Sequence, residues 1–187
     1  MARRLVSSRR VFEGRKVSLR VDTYEGPYGR YDVEVVEFRG AVVVLPLIGD
    51  RVVLVKQYRY PVSGYLLELP AGTLEPGESP EECAARELEE ETGYRPGRLA
   101  KLGEFYASPG YSTELLHAFL AKDLEKGEPR REAYEEIEVV EVPLAQLLDM
   151  AARGEVRDSK TLATLALYLL KRSQTLPDSS PIRRWGY

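Results

Sequence analysis

Apolar and polar positions alternate from Lys16 to Phe38, in KVSLRVDTYE and then YDVEVVEF, and the intervening Gly26-Pro27-Tyr28-Gly29 predicts an antiparallel hairpin. It reads as an element set apart from the rest. AVVVLPLI and RVVLVKQY are instead nearly continuous β-branched runs hinged at Gly49-Asp50, the pattern of a second hairpin buried on both faces and therefore of core sheet. Pro61 to Gly77 is rich in proline and glycine, so it predicts a structured loop carrying short extended pieces such as LLELPAG. Ser79-Pro80 followed by Glu82 fits an N-cap, a proline in the first turn and a capping-box acid. The helix should run from about Pro80 to Thr92 and stop at Gly93. RLAKLGEFYA, ELLHAFLAKDL and EEIEVVEVPL read as three further strands. Two helices follow, Leu144 to Arg153 ended by Gly154, and Lys160 to Arg172 with an apolar stripe of Leu162, Leu165 and Leu169. The order of elements gives an α+β class, a mixed sheet flanked by helices.

Composition narrows the function. With 43% hydrophobic and 30% charged residues over 187 positions, the chain is an ordered globule large enough for one sizeable core. A net charge of −3 and a pI near 5.5 argue against a nucleic-acid partner held by a basic surface. The lone cysteine, Cys83, rules out an intrachain disulfide and is expected to pack as a small apolar group, so the cytoplasm is the expected location. MARRLVSSRRVF lacks the apolar run of a signal peptide, and no stretch is apolar enough to span a membrane, so a soluble protein is expected.

The chemistry concentrates in RELEEETG, Arg86 to Gly93, where Glu87, Glu89, Glu90 and Glu91 crowd one helix. Like charges three or four residues apart repel by roughly 0.2–0.5 kcal/mol per pair, so something must offset Glu87 against Glu90 and Glu91. At about 100° per residue from Ala84, Leu88 falls near about +40°, Glu91 near about −20°, Glu87 near about −60° and Glu90 near about −120°. Glu91 therefore lies on the apolar side. Glu82, Arg86 and Glu89 cluster opposite it, where Glu82–Arg86 and Arg86–Glu90 can pair across a solvated face. A carboxylate turned inward costs several kcal/mol of the order of a lost hydration shell unless a cation compensates it. Carboxylates without nearby cysteines or paired histidines are hard oxygen ligands, which suit Mg²⁺ or Mn²⁺.

Gly72, then Glu78 after five residues, then Arg86-Glu87-Leu88-Glu89-Glu90-Glu91-Thr92-Gly93-Tyr94 after seven more, resembles the signature GX5EX7REUXEEXGU of the Nudix hydrolases. Tyr94 departs from the usual aliphatic residue at a packing position. The resemblance implies an α/β/α sandwich around a central mixed β-sheet, preceded here by a small N-terminal antiparallel sheet. It also implies metal ligation by Glu87, Glu90, Glu91 and the main-chain carbonyl of Ala71. Gly72, Glu78, Arg86 and Gly93 would form the structural frame of the box. The corresponding division is 1–40 for an N-terminal sheet element, 41–173 for the catalytic domain and 174–187 for a tail.

QYRYP, LLELPAG and SPGYSTE, with Pro109 fifteen residues past the box, are similar to flanks of the ADP-ribose pyrophosphatase group. That likeness implies substrate contacts from Arg59, Glu75 and the loop Ser108, Pro109 and Gly110. It also implies a homodimer in which the N-terminal sheet lends residues such as Arg30 and Glu34 to the partner's site. Hydrolysis of a P–O–P bridge needs neutralised phosphates and an in-line nucleophile, which Mg²⁺ ions supply together. The general base would be a box glutamate, Glu87 or Glu91, or a later loop glutamate, with Glu135 or Glu136 preferred in EPRREAYEEIEVV. His117 reads as a packed strand residue. The leading expectation is Mg²⁺-dependent cleavage of ADP-ribose to AMP and ribose 5-phosphate. Another nucleoside diphosphate derivative, or an ADP-ribose sensor without turnover, remains as an alternative.

Overall fold

The computed structural model describes residues 3–129 and 136–173. Strands β1 (Arg4–Glu13), β2 (Ser18–Gly26) and β3 (Gly29–Glu37) form an antiparallel sheet in the order β1-β2-β3. Gly26 pairs with Gly29 across a Pro27-Tyr28 turn, and Gly29 takes φ +99°, a conformation that favours glycine. The hairpin expected over Lys16–Phe38 is therefore present. Strand β1 escapes sequence reading because every residue of RLVSSRRVFE is exposed, so no buried face imposes alternation. Its partner β2 carries the one buried carboxylate of this sheet, Asp22, held by Ser8 at 2.6 Å and Arg20 at 3.0 Å.

The core sheet comprises β4 (Ala41–Ile48), β5 (Arg51–Arg59), β6 (Gly64–Glu68), β7 (Ala71–Thr73), β8 (Tyr94–Tyr106), β9 (Leu115–Lys126) and β10 (Ile137–Pro143). Its main path runs β10-β5-β4-β9-β8, with β6 beside β5 and β7 beside β4. β4 and β5 pair only at Leu47↔Val52 and Ile48↔Arg51, next to the Gly49-Asp50 turn, and then diverge. β4 runs parallel to β9 while the other main-path pairs are antiparallel, which makes the sheet mixed. The divergence admits β6 and β7, and with them the loop that reaches the glutamate helix.

Helix α1 (Pro80–Thr92) covers one face, and α2 (Leu144–Ala152) and α3 (Ser159–Ser173) cover the other. β4 divides accordingly: Val42 and Val44 pack with Cys83, Ala84 and Leu88, while Val43, Leu45 and Leu47 pack with Leu147 and Leu165. That division explains why AVVVLPLI is apolar without alternation. The expected α/β/α sandwich is the fold observed. One expectation changes on α3, where Thr161, Thr164, Leu165 and Tyr168 are the buried residues, while Leu162 and Leu169 remain exposed. Thr161 serves the inner face because its hydroxyl donates to Asp158 and accepts from the Leu69 amide, at 2.6 and 2.8 Å.

The small sheet meets the core at the loop between β8 and β9. Val36 N donates to the Tyr111 carbonyl at 2.8 Å, and Thr113 N donates to the Val36 carbonyl at 3.0 Å. Among the described residues no helix is long and apolar enough to cross a membrane.

Candidate functional site

Helix α1 begins as its sequence dictates. The Ser79 hydroxyl accepts from Glu82 N, the Glu82 carboxylate accepts from Ser79 N at 2.9 Å, and Pro80 occupies the first turn. Gly93 ends it at φ +78°, its amide closing onto the Glu89 carbonyl. The residue after it, Tyr94, is buried against the α1 side of the core, and its hydroxyl donates to Glu141 at 2.8 Å. The box thus tolerates a tyrosine because a polar partner waits at the end of the ring.

Inward exposure is graded along the helix. Glu91 is 7% exposed, the Glu87 side chain 14% and the Glu90 side chain 41%. Glu91 accepts from Ala71 N at 3.2 Å, linking the helix to β7. Arg86 does not point to a solvated face with Glu82, as the angular reading had it; Glu82 is committed to the cap. Arg86 instead turns to the loop before the helix, where Nε and Nη2 fork onto Glu78 at 2.7 and 2.9 Å. Its Nη1 meets Glu87 at 2.8 Å and Glu90 at 3.1 Å. A forked, partly buried guanidinium–carboxylate pair outweighs a solvent-exposed pair between adjacent turns, so Arg86 goes where Glu78 is. Glu89, expected beside Arg86, pairs with Arg95 at 2.7 Å.

The charge arrangement shows in the titration of the framing groups. The Arg86 hydrogen bond holds the Glu78 carboxyl down to about 2, helped by the Glu75 amide. Arg86 is itself raised above its ordinary value, chiefly by Glu78. Burial pushes the Cys83 thiol up, in keeping with an apolar packing role.

Gly72 has a separate reason. A Cβ there would lie 1.9 Å from Cδ of Glu87 and 2.0 Å from its Oε1, so the absent side chain is the space that the Glu87 carboxylate occupies. The first residue of the box and its first helical glutamate are one steric unit.

These residues line a cavity of about 1020 Å³, with Ala71, Gly72, Glu75, Arg86, Glu87, Glu90 and Glu91 on one wall. Arg59 and Lys160 lie on another, with Glu114 and Glu136 also at the lining. Burial raises the Glu114 carboxyl above its ordinary value. Glu136 accepts from the Tyr65 hydroxyl at 3.0 Å. Glu135 lies outside the described residues.

Other sequence expectations land elsewhere. Ser108, Pro109 and Gly110 form a turn next to the cavity, whose lining there comes from Ala107 and Glu114. Arg30 and Glu34 lie on β3, with Arg30 3.7 Å from Glu25, and neither lines the cavity of its own chain. His117 sits on β9 with Nδ1 3.3 Å from Glu104, also outside the lining. Sequence reading overlooked Arg15, Lys16, Arg39, Glu114, Asp158 and Lys160, all of which line the cavity. The usable signal was Asp158 preceding Thr161 by three residues, an N-cap spacing that fixes the start of α3.

As a metal site, the donor set is all oxygen: the glutamate carboxylates and the Ala71 carbonyl. Among the described residues no three Asp, Glu, His or Cys side chains already converge as a ligand cluster, since Glu87 and Glu90 share the Arg86 guanidinium. The chemistry fits a hard divalent cation: Glu87, Glu90 and Glu91 line one wall, and one arginine serves Glu78, Glu87 and Glu90.

Known proteins agree with this architecture. An ADP compounds hydrolase of known crystal structure superposes with a TM-score of 0.84 over 94% of this chain and 96% of its own, at 24% identity, a likeness of fold. The ADP-ribose pyrophosphatase of Bacillus subtilis (strain 168) is 40% identical over 172 residues, 90% of this chain and 93% of that protein. The methanol dehydrogenase activator of Bacillus methanolicus is 36% identical over the same shares. The GDP-mannose pyrophosphatase of Escherichia coli O1:K1 / APEC is 43% identical over 123 residues, 61% of this chain and 64% of its own. The NUDIX domain family model matches residues 37–165, the stretch that holds the core sheet, the glutamate helix and most of the cavity, and so the chain belongs to the Nudix hydrolase family.

Proposed function

We propose that this Nudix hydrolase cleaves the diphosphate bond of ADP-ribose, giving AMP and ribose 5-phosphate, with Mg²⁺ as cofactor and Mn²⁺ as a substitute. The observation that carries the reading is the cavity lined jointly by the box glutamates of α1 and by the cations Arg59 of β5 and Lys160 of α3, in a space sized for a nucleotide. The 40% identity to an ADP-ribose pyrophosphatase over nearly the whole chain supports the substrate.

Glu87, Glu90, Glu91 and the Ala71 carbonyl would hold the metal. Bound there, it supplies charge neutralisation on the phosphates and a more acidic water. The remaining work belongs to the protein. Arg59 engages the diphosphate, fixing the bridge between the two walls. Arg86 and Glu78 keep the start of α1 and its preceding loop in register, so that Glu87 stays over Gly72. Glu136, at the cavity and held by Tyr65, is placed to accept the proton of the attacking water, with Glu135 as the neighbouring alternative.

A second reading rests on the 43% identity to GDP-mannose pyrophosphatase, which favours a sugar nucleotide as substrate. One panel separates them: purified protein with Mg²⁺ and ADP-ribose, GDP-mannose, ADP-glucose, diadenosine polyphosphates or nucleoside triphosphates, read by product release. ADP-ribose should turn over fastest. A faster rate on another diphosphate ester moves the substrate, and binding without turnover on all of them overturns the enzymatic reading.

We also propose a cytoplasmic homodimer joined through the N-terminal sheet. Leu5, Val6, Val11 and Phe12 on the fully exposed β1 support it, since exposed apolar groups on a sheet favour a partner. Sedimentation of the full chain against one lacking residues 1–15 tests it; a monomeric full chain overturns it.

A further inference from the structure

Glu68 is 1% exposed, yet it sits in LLELPAG with no role in the box. A buried carboxylate is costly unless cations and hydrogen bonds surround it, and this one has two cations. Arg59 forks onto it, Nε to Oε1 at 2.8 Å and Nη2 to Oε2 at 2.6 Å, and Lys160 Nζ hydrogen-bonds the same Oε2. Lys160 also reaches Asp158 at 2.8 Å, and Asp158 accepts from Thr161 N at 2.9 Å at the start of α3. Burial alone would push the Glu68 carboxyl up, but Arg59 and Lys160 outweigh it and leave it ionised, below its ordinary value.

The connection runs across the fold. Arg59 ends β5, Glu68 ends β6, and Lys160 opens α3, so three elements meet at one carboxylate. The fork uses Nε and Nη2 of Arg59, and Arg59 lines the cavity.

We propose that Glu68 is a positioning residue: its buried carboxylate, itself held by Lys160 and through it by Asp158 at the start of α3, fixes the Arg59 guanidinium in the orientation that receives the substrate's diphosphate. This rests on the diphosphate class proposed above and not on ADP-ribose in particular. A side chain as long as arginine loses rotamer freedom when it binds an anion, and the fork removes that freedom in advance.

The test is a double-mutant cycle in the full-length protein. Glu68→Gln should raise KM for ADP-ribose roughly 10–100-fold while kcat stays within a few-fold, because charge-assisted hydrogen bonds of this kind carry that much binding. Arg59→Ala should raise KM by a similar factor, and the double variant should be no worse than Arg59→Ala alone. Additive effects, or a Glu68→Gln protein that loses thermal stability with an unchanged KM, overturn the assignment. If Glu68→Gln does not fold, Glu68→Asp, which keeps the charge but withdraws the carboxylate from Arg59 by one methylene, should raise KM in the same direction; an unchanged KM in Glu68→Asp overturns the assignment as well. If the wild type does not hydrolyse ADP-ribose, inorganic pyrophosphate with Mg²⁺ is titrated calorimetrically instead. Non-additive loss of its affinity supports Glu68 even as the substrate assignment falls, and unaltered affinity sinks the positioning role.

Discussion

The two walls of the cavity solve opposite problems with the same kind of pair. On the box wall one arginine, Arg86, serves three glutamates, Glu78, Glu87 and Glu90, and Glu91 stands beside them: four carboxylates to one guanidinium. On the wall formed by β5, β6 and α3 one glutamate, Glu68, is met by Arg59 and Lys160, and Asp158 takes the second contact of Lys160: two carboxylates to two cations. The second wall is balanced within itself, and it clamps β5, β6 and α3 together. The first gathers more carboxylates than its one guanidinium can pair, with Arg59 also within electrostatic reach of Glu91. That excess of carboxylates suits the metal role proposed for the box wall; the balanced wall is built to hold an orientation.

Changing each wall should therefore break different things. The largest effect belongs to Glu91→Gln, expected to lower kcat by at least about 100-fold and to weaken Mg²⁺ dependence while melting at or above the wild-type temperature, since a carboxylate under repulsion is removed. A variant that unfolds, or that keeps full activity, contradicts the metal role. Gly72→Ala comes next: the new Cβ displaces the flexible Glu87 carboxylate rather than backbone, so activity should drop roughly 10–100-fold with little change in melting temperature. A melt lowered in step with activity would place the clash in the fold instead.

Arg86→Gln should act more on stability, lowering the melting temperature by about 4–8 °C as Glu78, Glu87 and Glu90 lose their common partner, an effect of about 2 kcal/mol. Thermal denaturation checks it, and Arg86→Lys should recover only part because an ammonium cannot fork. The smallest effect is with pH. The Glu78 carboxyl is held at about 2 in the folded chain, below its unfolded value, so its contribution is complete above about 4.5 and lost as pH falls from there toward 2. Wild type should lose about 1–2 kcal/mol through that window once solvent screening is allowed for, and Glu78→Gln should lose correspondingly less. Equal pH slopes in the two proteins would remove Glu78 as the cause.

The box wall was legible in advance because its parts are close in sequence. Ser79, Pro80, Glu82 and Gly93 mark helix ends through local hydrogen bonds and backbone preference, and the angular position of Glu91 follows from helix geometry alone. The expected Arg86–Glu90 pair is present, but Glu82 does not join it and Glu89 pairs with Arg95 instead, since the stronger partner Glu78 lies outside the helix, eight residues before Arg86. On the other wall Arg59 was legible through the resemblance, but Glu68 and Lys160 were not. The β5–β6 register sets Glu68 opposite Val55, so only the Arg59 side chain reaching along the sheet closes the fork, and Lys160 arrives from 92 residues away. No periodicity records such a meeting. Strand β1 escaped for another reason: the pattern of apolar positions reports burial, and β1 buries nothing in its own chain.

By itself, then, the amino-acid sequence determined the helix, its caps, the inward turn of Glu91 and the apolar strands, because each depends on residues within a few positions of one another. The tertiary structure alone decided that Glu87 occupies the space left by Gly72, that Arg86 faces the loop, and that Glu68 gathers Arg59 and Lys160. Those arrangements follow from which chain segments the sheet and helices bring within a few ångströms, and charges at that range, out of water, choose partners by geometry rather than by spacing along the chain.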